Sequence, residues 1–297
     1  MNIGIDTMIE ACNLRRSFKA KEAVAGISFN VRRGEIFGLL GPNGAGKTTT
    51  IRMLSGQIDP DSGSAVVAGC DVVKDRAQLK ERIGVVFEEQ NLYERLSARN
   101  NLEFSRWLYG LPRSRVDEVL DLVHLRDRAK DRVSTFSNGM KQRMIIARAL
   151  LHHPPMLFLD EPGRGLDPIS ARTIRETIKL LSNEGMTILL TTHMMDEADQ
   201  LCQRVAFIVD GQLVANDAPR NLKLAHGQRE LAVTLQGDCA PGAHTLRDVT
   251  LKIDDVADQK RLGEWMSQGK VLAIHSREAT LEEVFMKIAG ISPLQNV

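Results

Sequence analysis

The residues best suited to chemistry lie together in "GPNGAGKTT", Gly41 to Thr49. Gly41, Gly46, Lys47 and Thr48 satisfy the pattern G-x-x-x-x-G-K-[ST]. The apolar run "EIFGLL" before them and a helical pattern reaching about Gly56 supply the strand, loop and helix that this pattern needs. Glycines let backbone N–H groups turn inward without Cβ clashes. Gly41, Pro42, Asn43, Gly44, Ala45 and Gly46 can therefore surround a β-phosphate. Lys47 brings an ammonium to the β- and γ-phosphates, and Thr48, followed by Thr49, offers a hydroxyl to Mg2+.

A second group of reactive residues ends the run "MLFLDE", Met156 to Glu161. Four apolar residues bury a strand, and Asp160 and Glu161 emerge at its C-terminal end, where ligands collect in open α/β sheets. One carboxylate, Asp160, can hold Mg2+ through water. The next, Glu161, can orient and deprotonate an attacking water. A third stretch, "STFSNGMKQR" (Ser134 to Arg143), has a small polar residue, an Asn-Gly pair and a basic helical run. It reads as another phosphate-holding helix start, far from the first.

These groups need a scaffold to bring them together. From Ile9 to about Gly211, short β-branched runs alternate with longer amphipathic ones, which predicts an α/β fold with a parallel core sheet. "IGVVF" (Ile83 to Phe87), "MLFLDE" and "TILLTT" (Thr187 to Thr192) are the expected buried strands. "MIEACNLRRSF" and "AVAGISFNVRRGE" read as adjacent antiparallel strands, and "VAFIVDGQLVAND" as a hairpin turning at Asp210 and Gly211. A mostly helical insert runs from about 89 to 150, with the one-sided apolar helices "NNLEFSRWLYGL" and "RVDEVLDLVHL" at its start. The composition shifts after about Ala225, so residues 8–225 form one domain. Residues 226–297 form a small α+β extension with strands at "RELAVTLQG", "LRDVTLKID" and "KVLAIHS".

The 39 basic and 38 acidic side chains nearly cancel, so no bulk nucleic-acid binding is expected. No apolar run approaches the ~20 residues of a membrane-spanning helix. Cys12, Cys70, Cys202 and Cys239 show no paired spacing, as expected of reduced thiols in the cytoplasm. "DEPG" (Asp160 to Gly163) matches the D-x-x-G of GTP-binding switches, yet no Asn-Lys-x-Asp follows to read guanine.

The order of motifs from about Ile9 to Ala215 resembles the ATP-binding cassette ATPases, which implies ATP and Mg2+ as ligands. "STFSNGMKQR" is similar to that family's signature, with Ser137 and Gly139 at the phosphate-contacting positions. "GLDP" resembles the D-loop, with Asp167 as its acid, and "TTHMMDEAD" the switch segment, with His193 as γ-phosphate sensor. Phe18 stands where the family stacks a ring on adenine. The resemblance implies a head-to-tail homodimer in which Ser137 and Gly139 complete the partner's site. That would account for two phosphate-holding devices so far apart.

The pattern departs from the family at Asn138, Met140 and the run Gly163, Arg164, Gly165. Glu88 replaces the usual glutamine, where a carboxylate could ligate Mg2+, and Gln90 stands nearby. "FEEQNLYERLSARNNLEFSRWLYGL" and "ATLEEVFMKIAG" are similar to drug-resistance and natrium-extrusion exporters. The implied partner is a separate polytopic membrane permease that holds this chain at the inner face of the membrane. Its coupling helix would meet Glu88 to Arg99. An importer ATPase, or a soluble cassette acting on ribosomes or DNA, is the alternative. The extension reads either as a structural cap or as a dimer-stabilising element.

Overall fold

A computed structural model describes residues 7–19, 21–89, 91–227, 230–236 and 246–290. It falls into two compact units, Met1–Ala218 and Pro219–Val297.

The first unit is built on two sheets. In chain order its strands are β1 (Thr7–Phe18), β2 (Lys21–Arg32), β3 (Ile36–Leu40), β4 (Ser62–Val67), β5 (Cys70–Asp71) and β6 (Ile83–Val86). They continue with β7 (Met156–Asp160), β8 (Thr187–Thr192), β9 (Arg204–Val209) and β10 (Gln212–Asp217). Its helices are α1 (Lys47–Leu54), α2 (Arg76–Arg82), α3 (Ala98–Leu108), α4 (Ser114–Leu122), α5 (Asn138–Ala149), α6 (Pro168–Asn183) and α7 (Met195–Leu201). The antiparallel sheet runs β2-β1-β4-β5 and the core sheet runs β10-β9-β3-β8-β7-β6. All core-sheet pairings are parallel except β9 with β10, the expected hairpin through Asp210 and Gly211.

Every residue of β3, β7 and β8 is buried. Strands covered on both faces can be continuously apolar, which is why "IFGLL", "MLFLD" and "TILLTT" carry no alternation. The two sheets share one apolar core, in which the rings of Phe29 and Phe37 stack at 5.4 Å and 6°. Parallel register then determines which residues meet at the sheet's rim. Leu40 pairs with Thr192, and Asp160 with Thr191. The loop after β3 and the acids after β7 therefore open on the same side, with β8 between them. Helices α3, α4 and α5 all fall within the predicted 89–150 helical stretch. Ser97 and Ser137 cap α3 and α5, accepting from Asn100 and Met140.

The second unit contains α8 (Pro219–His226), β11 (Glu230–Gln236), β12 (Leu246–Lys252), α9 (Val256–Ser267), β13 (Val271–Arg277) and α10 (Leu281–Ile288). Its antiparallel sheet has the order β12-β11-β13. Val233, Leu235 and Leu251 form a small core against Leu262 and Trp265 of α9. Thr280 and Glu283 form a capping box that starts α10. The junction expected at 225–226 lies at the end of α8, which packs on α10 within this unit. Cys12 is an exposed thiol and Cys70 and Cys202 are buried ones; Cys239 lies outside the described residues.

Phe158 is fully buried at the centre of β7. Phe158→Ala is expected to lower unfolding free energy by about 3–5 kcal/mol in urea titrations. A loss below about 1 kcal/mol would show that β7 is not the packed centre of the sheet.

Candidate functional site

The loop from Gly41 to Gly46 carries the chain from β3 into α1. Gly46 has φ +109°, and a Cβ there would lie 2.4 Å from the Ala23 carbonyl oxygen, so only glycine fits. Gly46 caps α1 without a side chain, and the first helical turn carries no acid. The free backbone N–H groups and the helix dipole make this end attractive to anions. Lys47 is 6% exposed. Its Nζ donates to the carbonyls of Gly41 at 2.7 Å and Pro42 at 3.2 Å, and lies 3.2 Å from Glu161 Oε1. The ammonium is thus drawn back onto its own loop and one carboxylate.

Glu161 is held firmly on the rim. Its N–H donates to the Thr191 carbonyl at 3.0 Å and its φ is +52°, a strained value for a side-chain-bearing residue. Oε2 lies 2.8 Å from His193 Nδ1. With the carboxylate ionised, Nδ1 carries the hydrogen and Nε2 is left for a ligand. Oε1 is buried, with no hydrogen-bond partner among the described residues, and its contact with Lys47 is ionic rather than directional. An orphaned buried carboxylate oxygen beside a cleft is suited to receive a hydrogen from water. Asp160 sits one residue deeper, buried, accepting from the Thr191 hydroxyl.

Of these groups, Lys47 and Glu161 border a cleft of about 260 Å³. Asn43, Gly44, Gly46, Lys47, Thr48, Thr49, Glu88 and Glu161 line it, together with Lys21, Ala23 and Arg164. Arg164 was not among the sequence-predicted site residues, yet its guanidinium pairs with Glu88, another lining residue. Lys21 reaches the cleft through the β1–β2 hairpin, where it pairs with Phe18. Phe18 is 45% exposed beneath the Arg16 guanidinium, 5.0 Å from the ring centre. Ser137 is exposed at the start of α5, while Gly139 is buried under Ser170 of α6. Asp167 caps α6, accepting from the N–H groups of Ile169 and Ser170. Bonds from the side chain and backbone of Ser170 hold its carboxyl below the usual range. Ser137, Gly139, Phe18 and Asp167 do not line the cleft of their own chain, and neither do Gly41, Pro42, Ala45, Asp160 or His193. Gln90 lies outside the described residues.

Thr48, Glu88 and the orphaned Glu161 oxygen are the oxygen donors that these side chains bring to the cleft. The described residues hold no cluster of three or more His, Cys, Asp or Glu able to cage a metal. This fits Mg2+, which usually takes one or two carboxylates and completes its shell with water and substrate phosphates.

A glycine-rich loop opening a helix, one strand away from a strand that leads into two acids, defines a phosphate-loop nucleoside triphosphatase. The family model described as ABC transporter matches residues 24–164. The chain is 43% identical to a fluoroquinolones export ATP-binding protein of Mycobacterium tuberculosis, over 91% of this chain and 89% of that one. It is 38% identical to a linearmycin resistance ATP-binding protein of Bacillus subtilis, over 95% and 98%. Among solved structures it is similar to cbiO1 of Clostridium perfringens, part of an ABC transporter complex. That match has a TM-score of 0.69, 28% identity and coverage of 75% of this chain and 92% of that one. It is also similar to a dimeric ATP-binding cassette bound to ADP and Pi, with a TM-score of 0.65, 26% identity and coverage of 71% and 98%. The chain belongs to the ABC transporter family, as an ATP-binding subunit that hydrolyses ATP.

Glu197 of α7 is a neighbour that sequence reasoning missed. It is 3% exposed and accepts from the Thr192 hydroxyl at 3.2 Å. Oε1 is unpartnered among the described residues and fills the space a Cβ on Gly163 would need, 2.5 Å away. Burial pushes its carboxyl above the ordinary 4.5. A raised folded pKa gives a contribution to stability that is present below pH 4.5 and lost as pH rises through the folded value. Glu197→Gln removes that loss, so its urea midpoint relative to wild type should climb as pH rises from 4.5 towards 7. A difference that stays flat would mean Glu197 is not strained by its burial.

Proposed function

We propose that this chain powers export through a separate membrane permease, pairing head to tail with a second copy around two Mg-ATP molecules. The observation that carries the reading is the row Lys47, Glu161, His193, with contacts of 3.2 and 2.8 Å around one strained carboxylate. In this reading the loop from Gly41 to Gly46 holds the β-phosphate, Lys47 bridges the β- and γ-phosphates, and Phe18 stacks on the adenine. Glu161 takes the proton of the attacking water, and His193 both orients Glu161 and senses the γ-phosphate. Thr48, Asp160 and Glu88 hold Mg2+, which neutralises charge on the phosphates when bound. Ser137 and Gly139, at the start of α5, complete the site of the opposite copy, with Asp167 on the dimer seam. The exposed place of Ser137, away from its own cleft, supports that division of labour.

Two further features support a membrane partner. The similar export proteins cover nearly the whole chain, and no described helix is long and apolar enough to cross a membrane by itself. A second cleft, of about 370 Å³, lies between β6, α3 and α5, with Trp107 and Leu108 of α3 71% and 68% exposed beside it. A permease helix would cover such a surface together with the neighbouring stretch Glu88 to Arg99. The working place of the chain is then the cytoplasmic face of the membrane.

Glu161→Gln is expected to retain ATP binding and to lower turnover by at least about 100-fold, the usual contribution of a general base. Turnover within a few-fold of wild type would place the base elsewhere. The composite site is tested by mixing. Lys47→Ala and Ser137→Ala chains, each inactive alone, should regain hydrolysis together, because a mixed dimer contains one intact site. A mixture as inactive as its components would contradict the head-to-tail arrangement.

A further inference from the structure

Three cations line the cleft, Lys21, Lys47 and Arg164, and two of them pair with a carboxylate that lines it too. Lys47 has Glu161, and Arg164 has Glu88. The two pairs differ in how firmly they are held. Lys47 and Glu161 are both 6% exposed, whereas Arg164 and Glu88 are 45% and 51% exposed. A half-exposed ion pair is weak, because water serves either partner nearly as well. A guanidinium facing phosphate oxygens makes two parallel charge-assisted bonds and is the stronger pairing. Arg164 also lies on the loop that positions the base, since its N–H donates to the Glu161 carbonyl at 3.2 Å.

We propose that Glu88 is a built-in competitor for the terminal phosphate. It pairs with Arg164 at the cleft, and a nucleoside triphosphate takes Arg164 from it. The pair thereby sets how strongly the site prefers ATP over ADP. This rests on the reading of the cleft as the nucleotide site. It assigns Arg164 as a phosphate-recognising residue and gives Glu88 a task separate from any metal. A carboxylate left unpaired in this cleft would repel the incoming phosphates, so Arg164 and Glu88 belong there together.

The test is equilibrium titration of ADP and of a non-hydrolysable ATP analogue into wild type, Arg164→Ala, Arg164→Lys, Glu88→Gln and the double variant Glu88→Gln/Arg164→Ala. Each is titrated in EDTA and again with Mg2+. Loss of one guanidinium–phosphate pairing should weaken triphosphate binding roughly tenfold in Arg164→Ala and change ADP binding by less than about threefold. Arg164→Lys should restore part of the loss, and Glu88→Gln should tighten triphosphate binding even in EDTA, where a metal-ligating role is silent. The penalty of Arg164→Ala should persist in the Glu88→Gln background. If it vanishes there, Arg164 only neutralises Glu88 and the inference is wrong; equal losses for ADP and the triphosphate overturn it as well. Lys47→Ala separates the two levels of the argument. If it weakens both nucleotides while Arg164→Ala weakens neither, only this inference falls. If wild type binds neither nucleotide, the reading of the cleft falls with it.

Discussion

A buried ammonium must have company, and Lys47 dictates much of what surrounds it. Taking an ion out of water costs several kcal/mol unless partners replace the lost hydration. Two loop carbonyls and the Glu161 carboxylate do so here. The carbonyls come from Gly41 and Pro42, so the loop must curl back, and Gly46 must be glycine for the curl to close against Ala23. The carboxylate comes from the end of β7, so the core sheet must bring β7 within one strand of β3. Lys47 is therefore charge-compensated by the same side chain that, in the proposed reading, would act on water.

That arrangement links binding to chemistry. In the proposed reading a triphosphate would offer Lys47 better partners than Glu161 does, and the exchange would free Glu161 Oε1, which has no hydrogen-bond partner among the described residues. His193 keeps the other oxygen in place, and the strained backbone at Glu161 is fixed by Thr191 on β8. Glu197, wedged under Gly163, braces the loop that follows. A carboxylate held on one side and released on the other is oriented before its substrate arrives.

Much of this could be read from the sequence, for a physical reason. The phosphate loop is local, with its glycines, lysine and threonine consecutive in the chain, so spacing alone reveals them. The buried strands ending at Leu40, Asp160 and Thr192 announced themselves as continuous apolar runs. Asp160 and Glu161 were legible because two acids directly after such a run are rarely accidental beside a phosphate loop. Residues that act by meeting a distant partner were not legible. Glu88 and Arg164 stand 76 positions apart and meet only because β6 lies beside β7. Each departure from the family pattern was visible by itself, but nothing in the sequence joined them. Glu197 was hidden among the acids of an amphipathic helix, and Lys21 among the lysines of a hairpin.

The central claim is an exchange of partners at Lys47, and the distance that reports it most directly is Lys47 Nζ to Glu161 Oε1, 3.2 Å here. A crystal structure of the unsubstituted protein with a non-hydrolysable ATP analogue measures it. The expected result is Nζ on phosphate oxygens and a gap to Glu161 wider than about 4 Å, beyond the range of an ion pair. Nζ still seated on Glu161, with the phosphates held by other groups, would contradict the claim.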